Sequence, residues 1–279
     1  MRTTPYYSVR TGEICEGERF DLDTVRELFK TSFVYLEDQG YFQEGLGYYC
    51  VDAGFVPGSL GDDLDGAILL ELRKRNLTPI RDRIKTYSEE DLFDIIEFLH
   101  EHCSKPTERH FHDFSSCGWH CSRFNKAAGS TEYRERVNKV LALYDKGYEL
   151  SADGEILELT TGGLKRLVDA PLPGADADNV TARVKNAERK FLRNRSSMDE
   201  RRDAIRDLAD VLEYLRPRLK SVLTKGDENE LFNVLNNFGI RHHRAGEKTD
   251  YDKPIFYSWL FHHYLAAIHA GVRLIERGK

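Results

Sequence analysis

Eight consecutive residues, Asn236-Asn237-Phe238-Gly239-Ile240-Arg241-His242-His243, bring together two amides, one guanidinium and two imidazoles. Cleaving RNA without a metal needs a base for the 2′-OH proton, a cation for the charge that builds on phosphorus, and an acid for the leaving oxygen. Histidine titrates near neutrality and suits both proton transfers. Arginine offers a planar fork that grips phosphate through two parallel hydrogen bonds, and amides orient phosphate or sugar. Asn236, Asn237, Arg241, His242 and His243 are therefore the expected catalytic or phosphate-binding residues. The same stretch also suits a helix end, with Gly239 at the cap and basic groups on the last carbonyls.

Three other groups could carry chemistry. Between Thr181 and Lys225 there are thirteen Lys/Arg against seven Asp/Glu, on a chain whose net charge is −6. Lys190, Arg193, Arg195, Arg201 and Arg202 fall in this stripe and could track an RNA backbone around the inward Phe191 and Leu192. A solvated helix with ion pairs, Glu188 beside Lys185 and Arg189 among them, is the plainer account.

The second group is His100, His102, Cys103, His110, His112, Cys117, His120 and Cys121, eight of the chain's fifteen His and Cys residues. Zinc could take His112, Cys117 and Cys121 with one further histidine. The stretch has no CxxC pair, however, and sits among Phe111, Phe114, Trp119 and Phe124, so buried thiols and satisfied imidazoles are expected, with no metal and no cofactor. The third group, His262, His263, His269 and Arg273, lies on an apolar helical stretch where single histidines are more often buried than catalytic.

The elements that must position these groups can be read from period and punctuation. At 279 residues with 40% hydrophobic and 32% charged residues, the chain has room for two domains with real cores. Helices are expected over 23–37, 67–75, from Ser88 (N-cap, with Asp91 three residues on) to before Pro106, and over 130–144. Residues 40–62 read as irregular. Gly147 to Leu159 alternates around Asp153-Gly154, a hairpin signal. Beyond the Pro/Gly/Asp-rich stretch 170–179 all is helical: 178–195, 199–223 with Pro217 expected to bend or interrupt it, 227–236, and 254–276 with Pro254 in the first turn.

The expected fold is mainly α: an α+β domain with a small hairpin over 1–170, a linker over 171–179, and a four-helix bundle over 180–279. No apolar run is long enough for a membrane span. The opening Met1-Arg2-Thr3-Thr4-Pro5 lacks an apolar signal core, and five cysteines are an odd number. Both point to reduced thiols in a cytoplasm.

The C-terminal hundred residues resemble the HEPN superfamily of small helical domains. The N-terminal part resembles that of AbiJ-like abortive-infection proteins, through Tyr133-Arg-Glu-Arg-Val-Asn-Lys-Val-Leu141, Gly147-Tyr-Glu-Leu150 and Asp153-Gly-Glu-Ile156. Active HEPN domains carry an Arg, often a polar residue after it, and a His four to six residues beyond the Arg. Here His242 matches the histidine and Asn237 the polar residue. Asn236 stands where Arg is expected, and Arg241 adjoins the histidine. The resemblance implies an antiphage effector, a metal-independent endoribonuclease acting on RNA (tRNA included) in a homodimer cleft of the helical domain. It also leaves room for a defence-system partner protein, and for a non-catalytic module that binds RNA, nucleotide or protein.

Overall fold

The computed structural model describes residues 6–13, 19–160, 163–238 and 250–278. The chain divides into two units, Met1–Glu158 and Leu159–Lys279. Both are mainly helical, and the only strands among the described residues form short antiparallel hairpins in the first unit.

The helices of the first unit are α1 (Tyr7–Arg10), α2 (Leu22–Asp38), α3 (Gln43–Leu46), α4 (Leu64–Leu72), α5 (Ile80–Arg83), α6 (Glu89–Glu101) and α7 (Lys126–Leu141). Its strands are β1 (Tyr48–Cys50), β2 (Gly54–Val56), β3 (Lys105–His112), β4 (Gly118–Asn125), β5 (Tyr148–Leu150) and β6 (Ile156–Glu158). Asp21 starts α2 by accepting the Thr24 N–H at 2.9 Å. The buried stripe that follows, Val25, Phe29, Phe33 and Leu36, keeps helical spacing. Ser88 and Asp91 close a reciprocal capping box on α6, as their spacing foretells.

Asn125 caps α7, so that helix starts four residues before the expected Ser130. Tyr133 on α7 is fully buried, and its hydroxyl donates to the Ile96 carbonyl of α6 at 2.9 Å. Tyr133→Phe keeps the ring and removes only that donor. It should lower stability by about 1 kcal/mol, read as a shifted urea midpoint at unchanged slope.

The hairpin around Asp153-Gly154 forms, with Leu150 opposite Ile156. Its loop is wider than the two-residue turn the Asp-Gly pair suggests: residues 151–155 bridge the strands, and Gly154 takes a φ of 85°. The Asn138 side chain pins this hairpin to α7, accepting from the Leu150 N–H at 2.6 Å and donating to its carbonyl at 3.1 Å. Residues 40–62, expected to be irregular, hold α3 and the β1–β2 hairpin. Residues 105–125 form the long β3–β4 hairpin, which hydrophobic alternation does not reveal.

The second unit holds α8 (Gly163–Val168), a single π-type turn at Ala177–Thr181, α9 (Ala182–Leu192), α10 (Met198–Leu219), α11 (Lys225–Asn237) and α12 (Lys253–Arg277). A capping box of Ser197 and Glu200 opens α10. Pro217 does not cut this helix short, because it lies in the last turn and α10 ends two residues later. Asp252 caps α12, with Pro254 in its first turn.

α10 packs on both α9 and α12. The Phe191 and Phe261 rings stack at 4.0 Å, tying α9 to α12. The stretch 171–179, expected as a linker, falls inside this unit. The Asp176 carboxylate caps the π-type turn and accepts a hydrogen bond from the Tyr214 hydroxyl of α10 at 3.1 Å.

Candidate functional site

The expected catalytic segment starts at the end of α11. Asn236 and Asn237 form the last turn of that helix, and Phe238 is its C-cap. Arg241, His242 and His243 lie outside the described residues. The residues on either side of 239–249 are in contact. Tyr251 donates its hydroxyl to the Phe238 carbonyl at 2.9 Å. The Phe238 ring sits 5.7 Å from that of Tyr251, 5.8 Å from Phe256 and 5.5 Å from Trp259. Phe238 at the end of α11 thus meets Tyr251, Phe256 and Trp259, from just before and within α12, in one aromatic cluster. Local hydrophobicity in the sequence announces these rings, but not that they close the segment.

The α12 histidines are not equivalent. The Trp259 ring stacks on His263 at 5.3 Å and 16°. His262 Nδ1 lies 2.8 Å from the Ser258 carbonyl, which fixes it as the donor nitrogen. His269 is buried, and neither of its nitrogens has a hydrogen-bond partner among the described residues. Burial lowers the pKa of all three, and Arg273 adds to the effect at His269. Burial thus favours the neutral form of each ring. None of them is shown at the Asn236–His243 segment.

The basic stripe is partly committed to its own unit. Lys190 Nζ sits 2.6 Å from the Asp207 carboxylate. The Arg201 guanidinium lies over the Phe191 ring at 5.4 Å. Arg193 is the C-cap of α9, and Arg195 holds a left-handed backbone conformation with φ 57°.

The His/Cys cluster separates into several environments. His100 packs near Tyr133, while Cys103 is fully buried and its thiol is pushed up to about 12 by burial. His102 pairs with Glu71 at 3.1 Å. Cys121 packs over Gly40 and is not one of the donors that converge. His112, Cys117 and His120 converge at the tip of the β3–β4 hairpin with Cys50 from β1, their ligand atoms all within 4.8 Å of one another. The sequence-based set had Cys121 where the structure has Cys50. Sequence spacing offers no signal for Cys50, because it lies 62 residues before His112.

No family model, curated protein or solved structure matches this chain.

Proposed function

We propose that this chain is an antiphage effector of the abortive-infection kind, whose HEPN-like second unit cuts RNA without a metal at the Asn236–His243 segment. The observation that carries the reading is the contact between the end of α11 and the start of α12. The Tyr251–Phe238 hydrogen bond and its aromatic cluster flank a short stretch rich in proton-transfer and phosphate-binding groups. Flanking residues that are already in contact lower the entropy lost when the stretch between them binds a phosphate.

In this reading His242 takes the 2′-OH proton, or returns one to the leaving oxygen. The freed 2′-oxygen attacks phosphorus, the P–O5′ bond breaks, and the products carry a 2′,3′-cyclic phosphate and a 5′-hydroxyl. Arg241 clamps the phosphate, Asn236 and Asn237 orient it, and His243 is an auxiliary donor. The stripe of Lys190, Arg193, Arg195, Arg201 and Arg202 supplies charge for the RNA backbone, with Lys190 exchanging Asp207 for phosphate. Ile255 and Trp259, one turn apart on α12 and both exposed, give a homodimer an apolar contact near the start of that helix.

The test is cleavage of bulk RNA or tRNA in EDTA by the full chain and by His242→Ala. Loss of the proton-transfer group should slow cleavage by about 100-fold or more, with cyclic-phosphate ends on the wild-type products. Equal rates in the two proteins, or no product from the wild type, overturn the ribonuclease reading. RNA or nucleotide binding that survives His242→Gln without any product would favour a non-catalytic HEPN-like binding module.

A further inference from the structure

The distal part of the first unit has little apolar material to hold it. The hydrophobic core gathers residues from α2, α5, α6, α7 and β5–β6, and none of its buried members comes from β1–β4. Tyr49, Phe55, Phe111, Phe114 and Trp119 are all exposed. Two small hairpins with so little burial do not stay together by the hydrophobic effect alone.

Four side chains meet where these hairpins touch. Cys50 ends β1, His112 ends β3, Cys117 follows the turn at the hairpin tip, and His120 lies in β4. Cys50 Sγ is 3.8 Å from His112 Nδ1, and Cys117 Sγ is 3.2 Å from His120 Nε2. A tetrahedral zinc with two sulfur and two nitrogen ligands places neighbouring S and N donors about 3.5 Å apart. The observed separations bracket that value.

The surroundings match a ligand set in two further ways. The Asp52 carboxylate lies 3.1 Å from His112 Nε2, which leaves Nδ1 with its lone pair toward the cluster. The Val51 N–H points to the Cys117 sulfur at 3.4 Å, the kind of outer contact that orients a ligand. The tip of the hairpin, moreover, holds Ser115 and Ser116 at φ 51° and 55°. Two adjacent non-glycine residues in the left-handed region cost on the order of 1 kcal/mol each, a cost that ligation at Cys117 offsets.

We propose that Cys50, His112, Cys117 and His120 form a structural zinc(II) site that fastens the β1–β2 hairpin to the tip of β3–β4. Two thiolates and two imidazoles select zinc over the hard cations. Four protein ligands close the coordination sphere, so the ion holds structure and does not activate water. The site belongs to the first unit and is independent of the ribonuclease reading.

The experiment measures metal in the full chain purified under reducing conditions without chelator. Elemental analysis should find about one zinc per chain in the wild type and in Cys121→Ser, and less than a tenth of that in Cys50→Ser and Cys117→Ser. Cobalt(II) added to the zinc-stripped wild type should give the intense visible bands of a tetrahedral thiolate complex, a readout that needs no variant to fold. Stripping the metal should also speed hydrogen exchange over residues 48–56 and 109–121, with α6 still protected. A wild type that retains no zinc and gives no tetrahedral cobalt spectrum overturns the proposal. So does zinc retained at full level by Cys117→Ser, or a Cys50–Cys117 disulfide in the purified protein.

Discussion

Gly129→Ala should destabilise the first unit by on the order of 3 kcal/mol. In an exposed helix the same change is favourable by about 1 kcal/mol, because alanine loses less backbone entropy and suits the helix better. The sign reverses here because α7 crosses the start of β3 with no room for a side chain. A Cβ on Gly129 would lie 2.4 Å from the Lys105 nitrogen and 2.5 Å from the Ser104 Cα, both backbone atoms. Backbone cannot swing aside as a long side chain can, so the helix or the strand must move. Either movement loosens Tyr133, one turn further along α7 and wholly buried. It also disturbs Cys103, whose sulfur lies 3.7 Å from the Gly129 carbonyl. Urea unfolding of the variant and the wild type measures the effect. A midpoint equal to or above the wild type's would mean that the helix does not sit against β3 this closely.

Features written within a few neighbouring residues were legible in the sequence. The Ser88–Asp91 box, the hairpin at Asp153-Gly154 and Pro254 at the head of α12 are set by side chains that act three or four positions away. The tight crossing at Gly129 was not, because it depends on a strand that follows α6 and leaves no local mark on α7. β3 itself stayed hidden for a physical reason. Lys105-Pro-Thr-Glu-Arg-His-Phe-His112 is mostly exposed on both faces, so it has no apolar alternation to read. The zinc set shows the same limit. His112 and Cys117 stood out with Cys121 and one unnamed histidine, but the structure puts His120 and Cys50 in the set, and Cys50 arrives only through folding. The residues of the ribonuclease reading drew notice by their types. Of these, only the helical placement of Asn236 and Asn237 lies within the described residues, with Arg241, His242 and His243 outside them.

The basic stripe teaches a related lesson, and it carries the second large effect. Glu188 looks in sequence like one partner in a solvated ladder with Lys185 and Arg189. In the structure it is only partly exposed. Burial, with the nearby charge of Asp169 and against the pull of Lys185, raises its pKa to about 8. An unfolded glutamate titrates near 4.3, so between those two values the folded chain keeps a proton that the unfolded chain has released. Stability therefore falls as pH rises through this window and levels off above it. The full shift corresponds to more than 4 kcal/mol at about 1.4 kcal/mol per unit, and the carboxyl's remaining contact with solvent brings the expected loss down to on the order of 3 kcal/mol. Glu188→Gln holds the neutral form at every pH. Its stability should match the wild type near pH 4 and exceed it by roughly that amount at pH 9. Urea unfolding of both proteins from pH 4 to 9 isolates the carboxyl, since every other titrating group cancels in the difference. A flat difference curve would place Glu188 in water as an ordinary surface acid. A gain that appears on the alkaline side would show that α9 keeps its one acid uncharged at neutral pH. That would leave the face of α9 more positive than its sequence count suggests, the direction an RNA-facing surface requires.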